Sequence, residues 1–265
     1  MNMKKTQTII LKEWAEVFKN RYVLFTVAFL PLLLTAIPIG VLYGMRSSED
    51  FSGAATDMPT QFNALCPAGL SGGECFQVFL VSQFMIMFMI IPLAIPASIA
   101  AYSIVGEKVN RSLEPLLATP LTTVELLVGK SLAGIIPALL ATWAGFLLFL
   151  LGAWLLVTDK AIFILFVDAR WLVAIFLVGP LMALLAVTFS VMVSSRVNDP
   201  RVAEQVSMII ILPVLGVFFG QMAGLFVLNR PFILVAAFVL AAVDAVMVHL
   251  AVRLFQRETI LTRWK

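Results

Sequence analysis

Two short stretches of the 265-residue chain look at first as if they could do phosphate chemistry. Gly129-Lys130-Ser131 reads like the close of a phosphate-binding loop, and Leu70-Ser71-Gly72-Gly73-Glu74 reads like a nucleotide-contacting signature. A phosphate loop needs a further glycine five positions before its last one, with a strand ahead of it. That position is Val124, and no strand pattern precedes it. The second stretch adjoins Cys75 in a segment that charge placement puts outside the cell, where ATP is absent. Neither is retained, so this polypeptide is expected not to bind ATP. The chain has no His-Glu-x-x-His pair, no Gly-x-Ser-x-Gly turn and no convincing paired acid, so no catalytic residue is nominated.

The remaining chemistry-bearing side chains are few. Cys66 and Cys75 are the two cysteines, and both fall in the segment 46–75. An oxidising exterior would let them form a disulfide, and a reduced pair is the alternative. Two cysteines with His249 far away in sequence make a poor metal site, so none is assigned. Asp244 lies near the middle of a long apolar run, where an ionised carboxylate is costly, so a partner or protonation is expected. It is the intramembrane candidate for a polar site. A neutral acid bonded to a neighbouring helix competes there with a cation or proton role. His249, five residues on, sits roughly 140° around a helix from it, too far for a same-face pair. Met85 and Met89 share a helical face, which reads as flexible packing before it reads as a copper site.

Composition names the elements that must carry these residues. With 62% apolar residues, 12% charged residues and a mean hydropathy of +1.04, the chain cannot surround one water-facing core. A spanning helix needs about 20 apolar residues. Six such runs lie at roughly 22–45, 76–105, 131–157, 171–193, 206–228 and 232–252. Lipid forces backbone groups to pair within a segment, so the expectation is an all-α, polytopic membrane protein with six transmembrane helices. The first run follows a charged segment without an Ala-x-Ala site, so it is expected to be retained.

Lys and Arg concentrate on the cytoplasmic side. With the N-terminus inside, only Arg46, Lys160, Arg170 and Arg230 of the 18 basic residues fall outside, leaving 14 within. Both termini are then cytosolic, 46–75 is an outer loop and 253–265 a cytosolic tail. Basic residues scattered over separate loops give no nucleic-acid footprint.

Residues 1–21 carry Ile10, Trp14, Val17 and Phe18 at helical spacing, with Lys12, Glu13, Glu16, Lys19 and Asn20 on the other face. This is the pattern of an amphipathic helix lying in the membrane interface. Between the second and third runs stands a charged cytosolic island, 106–125. In it Leu113, Leu116 and Leu117 share a helical face, Pro115 suits a first turn, and Pro120 ends the segment. Thr122 and Glu125 fit a capping box that opens the third spanning helix. Exposed leucines on a loop call for a cover, either the protein's own helix ends or a partner. In the fifth run Gly216, Gly220 and Gly224 repeat every four residues, which suits close helix packing within the chain or across a dimer, or a moving seam. Prolines at 31, 38, 92, 96, 137, 180 and 213 interrupt the first five runs and permit kinks.

Three stretches together resemble the type 2 permease, the membrane subunit of ATP-binding-cassette (ABC) exporters. They are Glu107-Lys108 with Ser112 to Pro120, Glu125 and Gly129-Lys130; Asn198-Asp199-Pro200-Arg201; and Phe255 to Leu261. Ser112 stands where threonine is commoner, and there is no large outer domain. The resemblance implies a single permease domain over 1–265, with an N-terminal elbow that includes Trp14 and Phe18. It implies a short cytosolic coupling helix between the second and third spans, with Glu107, Lys108, Leu113, Glu114, Leu116, Leu117 and Pro120 as the ATPase-coupling residues. It further implies export across the cytoplasmic membrane of a prokaryote and a cytosolic ABC ATPase partner that holds ATP and Mg. A second permease copy or a sister permease would complete the complex, and this chain would have no enzymatic role and no cofactor of its own. The alternatives are an ATP-independent secondary transporter or ion pathway that uses Asp244, and a membrane anchor for an assembly. The sequence does not select a substrate.

Overall fold

In lipid a backbone amide finds no water, so long apolar runs close their hydrogen bonds internally as helices. The computed structural model describes residues 3–19, 21–47, 72–109, 122–157 and 160–254. Among these residues all regular structure is helical, and six stretches are long and apolar enough to cross a membrane. They are Val23–Met45, Gly73–Glu107, Val124–Leu156, Ile162–Arg196, Pro200–Met222 and Arg230–Leu254.

The helices are α1 (Met3–Val17), α2 (Arg21–Ser47), α3 (Gly72–Phe88), α4 (Ile91–Val109), α5 (Thr123–Leu156), α6 (Lys160–Phe166) and α7 (Ala169–Val173). A π-helical turn, Ala174–Val178, leads into α8 (Gly179–Arg196). Then come α9 (Pro200–Ser207), a 3-10 turn Met208–Ile211, α10 (Leu212–Met222) and α11 (Arg230–Leu254). The second span is therefore α3 with α4, the fourth α6 to α8, and the fifth α9 to α10.

Proline breaks a span only where the local ladder can reform. Pro92 follows a break at Met89–Ile90, where Met89 N–H donates to Ile86 and Ile90 N–H to Met87. Pro180 follows the π-helical turn, whose Gly179 N–H reaches back to Ala174, and Pro213 follows the 3-10 turn. Pro31, Pro38, Pro96 and Pro137 sit inside continuous helices instead. A proline leaves one carbonyl four residues back without its donor, and neighbours in the bundle can take it up.

α4 is the centre of the bundle. It packs most extensively on α8 and also on α5 and α9, while α5 receives α2 and α11 lies on α8. The second span is 72% buried and the fifth and sixth only 17%, so the outer helices present their leucines and phenylalanines to lipid. Small residues set the close approaches. A Cβ at Gly152 of α5 would meet Ile39 of α2 at 2.6 Å, and one at Gly145 would meet Phe88 at 3.0 Å.

Two sequence expectations shift. The fifth span is set as Pro200–Met222, not 206–228, because Gly224 adopts φ 70 and ends the helix. Leu225 N–H bonds the Gly220 carbonyl and Gly224 N–H bonds Gln221, the paired closure of a left-handed C-terminal cap. The fourth span begins earlier than residue 171, at Ile162, because α6 and α7 continue the apolar run on both sides of Asp168.

Candidate functional site

The N-terminal helix does not rest on the bundle by the face that simple amphipathicity selects. Its buried residues are Thr6, Ile9, Glu13 and Val17, whereas Phe18 is 40% exposed and lies beyond the helix end. Glu13, expected on the polar outer face, is 3% exposed. The reason lies on α5, where Gly129 and Lys130 stand side by side. A Cβ at Gly129 would meet Ile9 at 2.7 Å, so the missing side chain seats Ile9 directly on the helix backbone. Glu13, one turn after Ile9, then reaches Lys130.

Lys130 is the hub of a buried charge cluster. Its Nζ lies 2.7 Å from Glu13 Oε1 and 3.1 Å from Glu107 Oε2, and it donates to Ser103 Oγ at 2.8 Å. Ser103 Oγ in turn donates to Glu13 Oε2 at 2.8 Å, and Lys12 Nζ donates to Glu107 Oε1 at 2.8 Å. Two buried carboxylates, Glu13 and Glu107, face two ammonium groups, the balance a water-poor boundary requires, and the exposed Glu16 lies 3.6 Å from Lys12 at the edge of the cluster. Burial alone would lower the Lys12 pKa. The hydrogen bond and charge of Glu107, helped by Glu16 and Glu13, outweigh burial and hold it above the ordinary 10.5.

Proline chemistry adds a second attachment. Pro137 lacks the N–H that would bond Ala133, and Trp14 Nε1 donates to that carbonyl at 3.0 Å. α1 thus grips α5 at Gly129, Lys130 and Ala133, and grips α4 at Ser103 and Glu107. α4 ends and α5 begins on either side of residues 110–121, so α1 braces both helix ends next to that segment.

The start of α5 is locally encoded. Thr122 Oγ1 accepts from Glu125 N–H at 3.2 Å and Glu125 Oε2 accepts from Thr122 N–H at 3.1 Å, the reciprocal capping box read from the sequence. At the neighbouring turn Asp199 caps α9 by accepting from Arg201 N–H at 2.8 Å, with Pro200 in the first turn. Buried Ala203 of α9 packs with Ala101 and Val105 of α4. At the opposite end of the bundle Asp168 accepts from Arg170 and Arg230, which ties the fourth span to the sixth.

Of the residues singled out from the sequence, Glu107 and Trp14 join this cluster, and Lys108 lies in the last turn of α4. Leu113, Glu114, Leu116, Leu117 and Pro120 lie outside the described residues, as does Cys66. Cys75 is buried and is not a free thiol. Gly220 faces Phe226, Gly216 has nothing among the described residues within 4 Å of where a Cβ would stand, and Gly224 serves the helix end. Asp244 lies on the inner face of α11 with Ile233, Ala237 and Ala251, at 3% exposure, and neither carboxyl oxygen has a hydrogen-bond partner among the described residues. Sequence reasoning missed the inward roles of Glu13, Lys12 and Ser103. The available signal was the pairing of Ile9-x-x-x-Glu13 with Gly129-Lys130.

A six-span helical bundle with a braced polar end defines a multi-pass membrane protein. The model of the family described as ABC-2 family transporter protein matches residues 7–234, most of the chain, and the chain belongs to that family. It is accordingly a transmembrane permease of the ABC transporter class. No curated protein matches the chain closely enough to add to this.

Proposed function

We propose that this chain is the permease subunit of an exporter in which a separate cytosolic ABC ATPase, holding ATP and Mg, drives substrate outward across the cytoplasmic membrane of a prokaryote. Both termini are cytosolic on this reading, and the permease works as a homodimer or beside a sister permease. The observation that carries it is the Lys130 cluster. A helix clamped to the last turn of α4 and the first turns of α5 gives a stiff mount to whatever load those two helix ends receive. Leu113, Glu114, Leu116 and Leu117 are the face that meets the ATPase, with Glu107 and Lys130 anchoring its ends. The chain itself carries out no catalysis. ATP binding by the partner favours one helix arrangement through its own differential binding energy.

The test is the pair Glu114→Ala and Leu117→Ala in the permease purified with its ATPase and reconstituted in liposomes. ATP hydrolysis that continues while transport falls, with membrane insertion intact, is expected. Unchanged transport would remove this segment from the coupling path.

Asp244 supports a second reading, an ATP-independent transporter in which that carboxylate carries the coupling cation. Its two buried oxygens, without a partner among the described residues, favour it. Under this reading Asp244→Asn abolishes flux and no ATPase copurifies.

A further inference from the structure

Three buried serines lie one turn along their helices from a contact layer whose members touch. In that layer Ser194 of α8 donates to the Ala101 carbonyl of α4 at 2.7 Å, and Ala203 of α9 packs with Ala101 and Val105. A second contact sets the direction of α8 against α4. A Cβ at Gly134 of α5 would stand 3.2 Å from Val187 and 3.6 Å from the Pro96 carbonyl. Val187 is therefore level with Pro96, as Ser194 is with Ala101, and the two helices run parallel. Ser190 falls between these levels on α8, and Ser98 falls between them on α4. α9 turns back after residues 197–199, so the step from Ala203 to Ser207 runs the same way as the steps from Ser194 to Ser190 and from Ala101 to Ser98. Each step is three or four residues, which keeps a residue on its helix face. α4, α8 and α9 all pack on one another, so the three serines meet at one level of a three-helix junction.

The hydroxyls of Ser98, Ser190 and Ser207 are buried and have no hydrogen-bond partner among the described residues. A serine or threonine in a helix can return its hydroxyl to its own backbone, as Thr188 does to Leu184 and Ser195 to Met192 on the same α8. These three do not, so their polar groups remain for something between the helices. Ala203 and Ser207 are the two buried residues of α9, and the buried Ala97 and Ala186 keep the neighbouring positions of α4 and α8 small. A buried hydroxyl left unpaired is destabilising, and three at one level concentrate the demand for a hydrogen-bonding ligand.

We propose that Ser98, Ser190 and Ser207 form a buried site for one water molecule, which joins the second, fourth and fifth spans. A buried water makes about three hydrogen bonds to groups otherwise unpaired, which matches the three hydroxyls. A cation fits less well. Hard cations such as calcium and magnesium take six or more oxygens, and a charge without a counter-charge is costly among neutral groups. The nearest charged side chain along these helices, Glu204, stands one turn from Ser207 and is only half-buried.

The experiment uses the full-length permease in bilayers with labelled serines, and solid-state NMR follows magnetisation transfer from water to each of them. Transfer to Ser98, Ser190 and Ser207 is expected, and none to Ser194, whose hydroxyl the α4 backbone occupies. Ser190→Ala should weaken transfer to both Ser98 and Ser207, and Ser190→Val, which fills the level, should abolish it. Melting in detergent gives a second readout. Each single Ser→Ala change should lower the melting temperature by about 2–4 °C, the shift of one hydrogen bond. The triple variant leaves no hydroxyl unpaired and should lose less than the three single shifts together. Absence of transfer to all three serines overturns the site. Additive melting shifts, or transfer unchanged at Ser98 and Ser207 in Ser190→Ala, show three separate hydroxyls and overturn it too. A melting temperature that sodium or calcium chloride raises and choline chloride does not, with the rise lost in Ser190→Ala, replaces the water with a cation.

Discussion

Trp14 bonds the carbonyl of Ala133 at 3.0 Å because Pro137, four residues further along α5, has no N–H to offer it. The pair makes a proline in one spanning helix the docking point for another helix. Trp14→Phe keeps the ring but strands a carbonyl, at a cost of about 1–3 kcal/mol. In a Pro137→Ala background the helix satisfies that carbonyl itself, so the same Trp14→Phe change should cost much less. Thermal unfolding of the four proteins in detergent measures the coupling, and equal costs in both backgrounds would show that the indole packs without bonding.

The Lys130 cluster predicts an asymmetry between single and paired substitutions. Lys130→Met leaves Glu13 and Glu107 buried with one ammonium fewer, and breaking a buried pair this way costs about 3–5 kcal/mol. Adding Glu13→Gln removes one of the stranded charges while Lys12 still faces Glu107 at 2.8 Å. The double variant should therefore be more stable than Lys130→Met alone. Its melting temperature against the single variant's is the readout, and an additive loss would contradict the shared site.

Lys12 gives a pH dependence with a defined sign. Its pKa in the folded protein lies above the ordinary 10.5, because Glu107 outweighs the effect of burial. A raised pKa contributes stability that is fully present below the unfolded value and is lost as pH rises through the folded one. The stability difference between the wild type and Lys12→Met should hence be flat through neutral pH and shrink above about 10.5. Proteolysis of α1 in detergent across that range follows it. A difference that shrinks on acidification instead would assign the effect to another group.

How much of this was legible in the sequence depends on whether a signal was local. The Thr122–Glu125 capping box requires residues within four positions of each other and is present as read, and the Asp199 cap of α9, which the sequence offered only inside a family resemblance, is equally local. The six spans follow from length and apolarity, which need no partner. The inward turn of Glu13 is different. On α1 alone it belongs with the charged residues, and only the bare backbone at Gly129 and the ammonium at Lys130, 117 positions away, make its burial favourable. Gly224 misled for a related reason: spacing by four suggests a packing stripe, whereas its positive φ closes the helix. The Ser194 hydroxyl, which donates to the Ala101 carbonyl and accepts from Val105 N–H across to α4, has no sequence signature, since a serine near a helix end ordinarily bonds its own backbone, as Ser195 does to Met192.

The glycines of the fifth span separate folding from association. A Cβ at Gly220 would meet the Phe226 ring at 2.7 and 3.0 Å, so Gly220→Leu must displace that ring and should destabilise the chain itself. Gly216, one turn earlier, meets none of the described residues, so Gly216→Leu should leave its stability within about 0.5 kcal/mol. If a second permease packs against this helix, as the proposed dimer requires, the open glycine is where backbones approach, and a leucine there should block them. Energy transfer between labelled permeases in liposomes is the measurement. Reduced transfer for Gly216→Leu with an unchanged melting temperature is the expected result, and undiminished transfer would place the permease contact on another face.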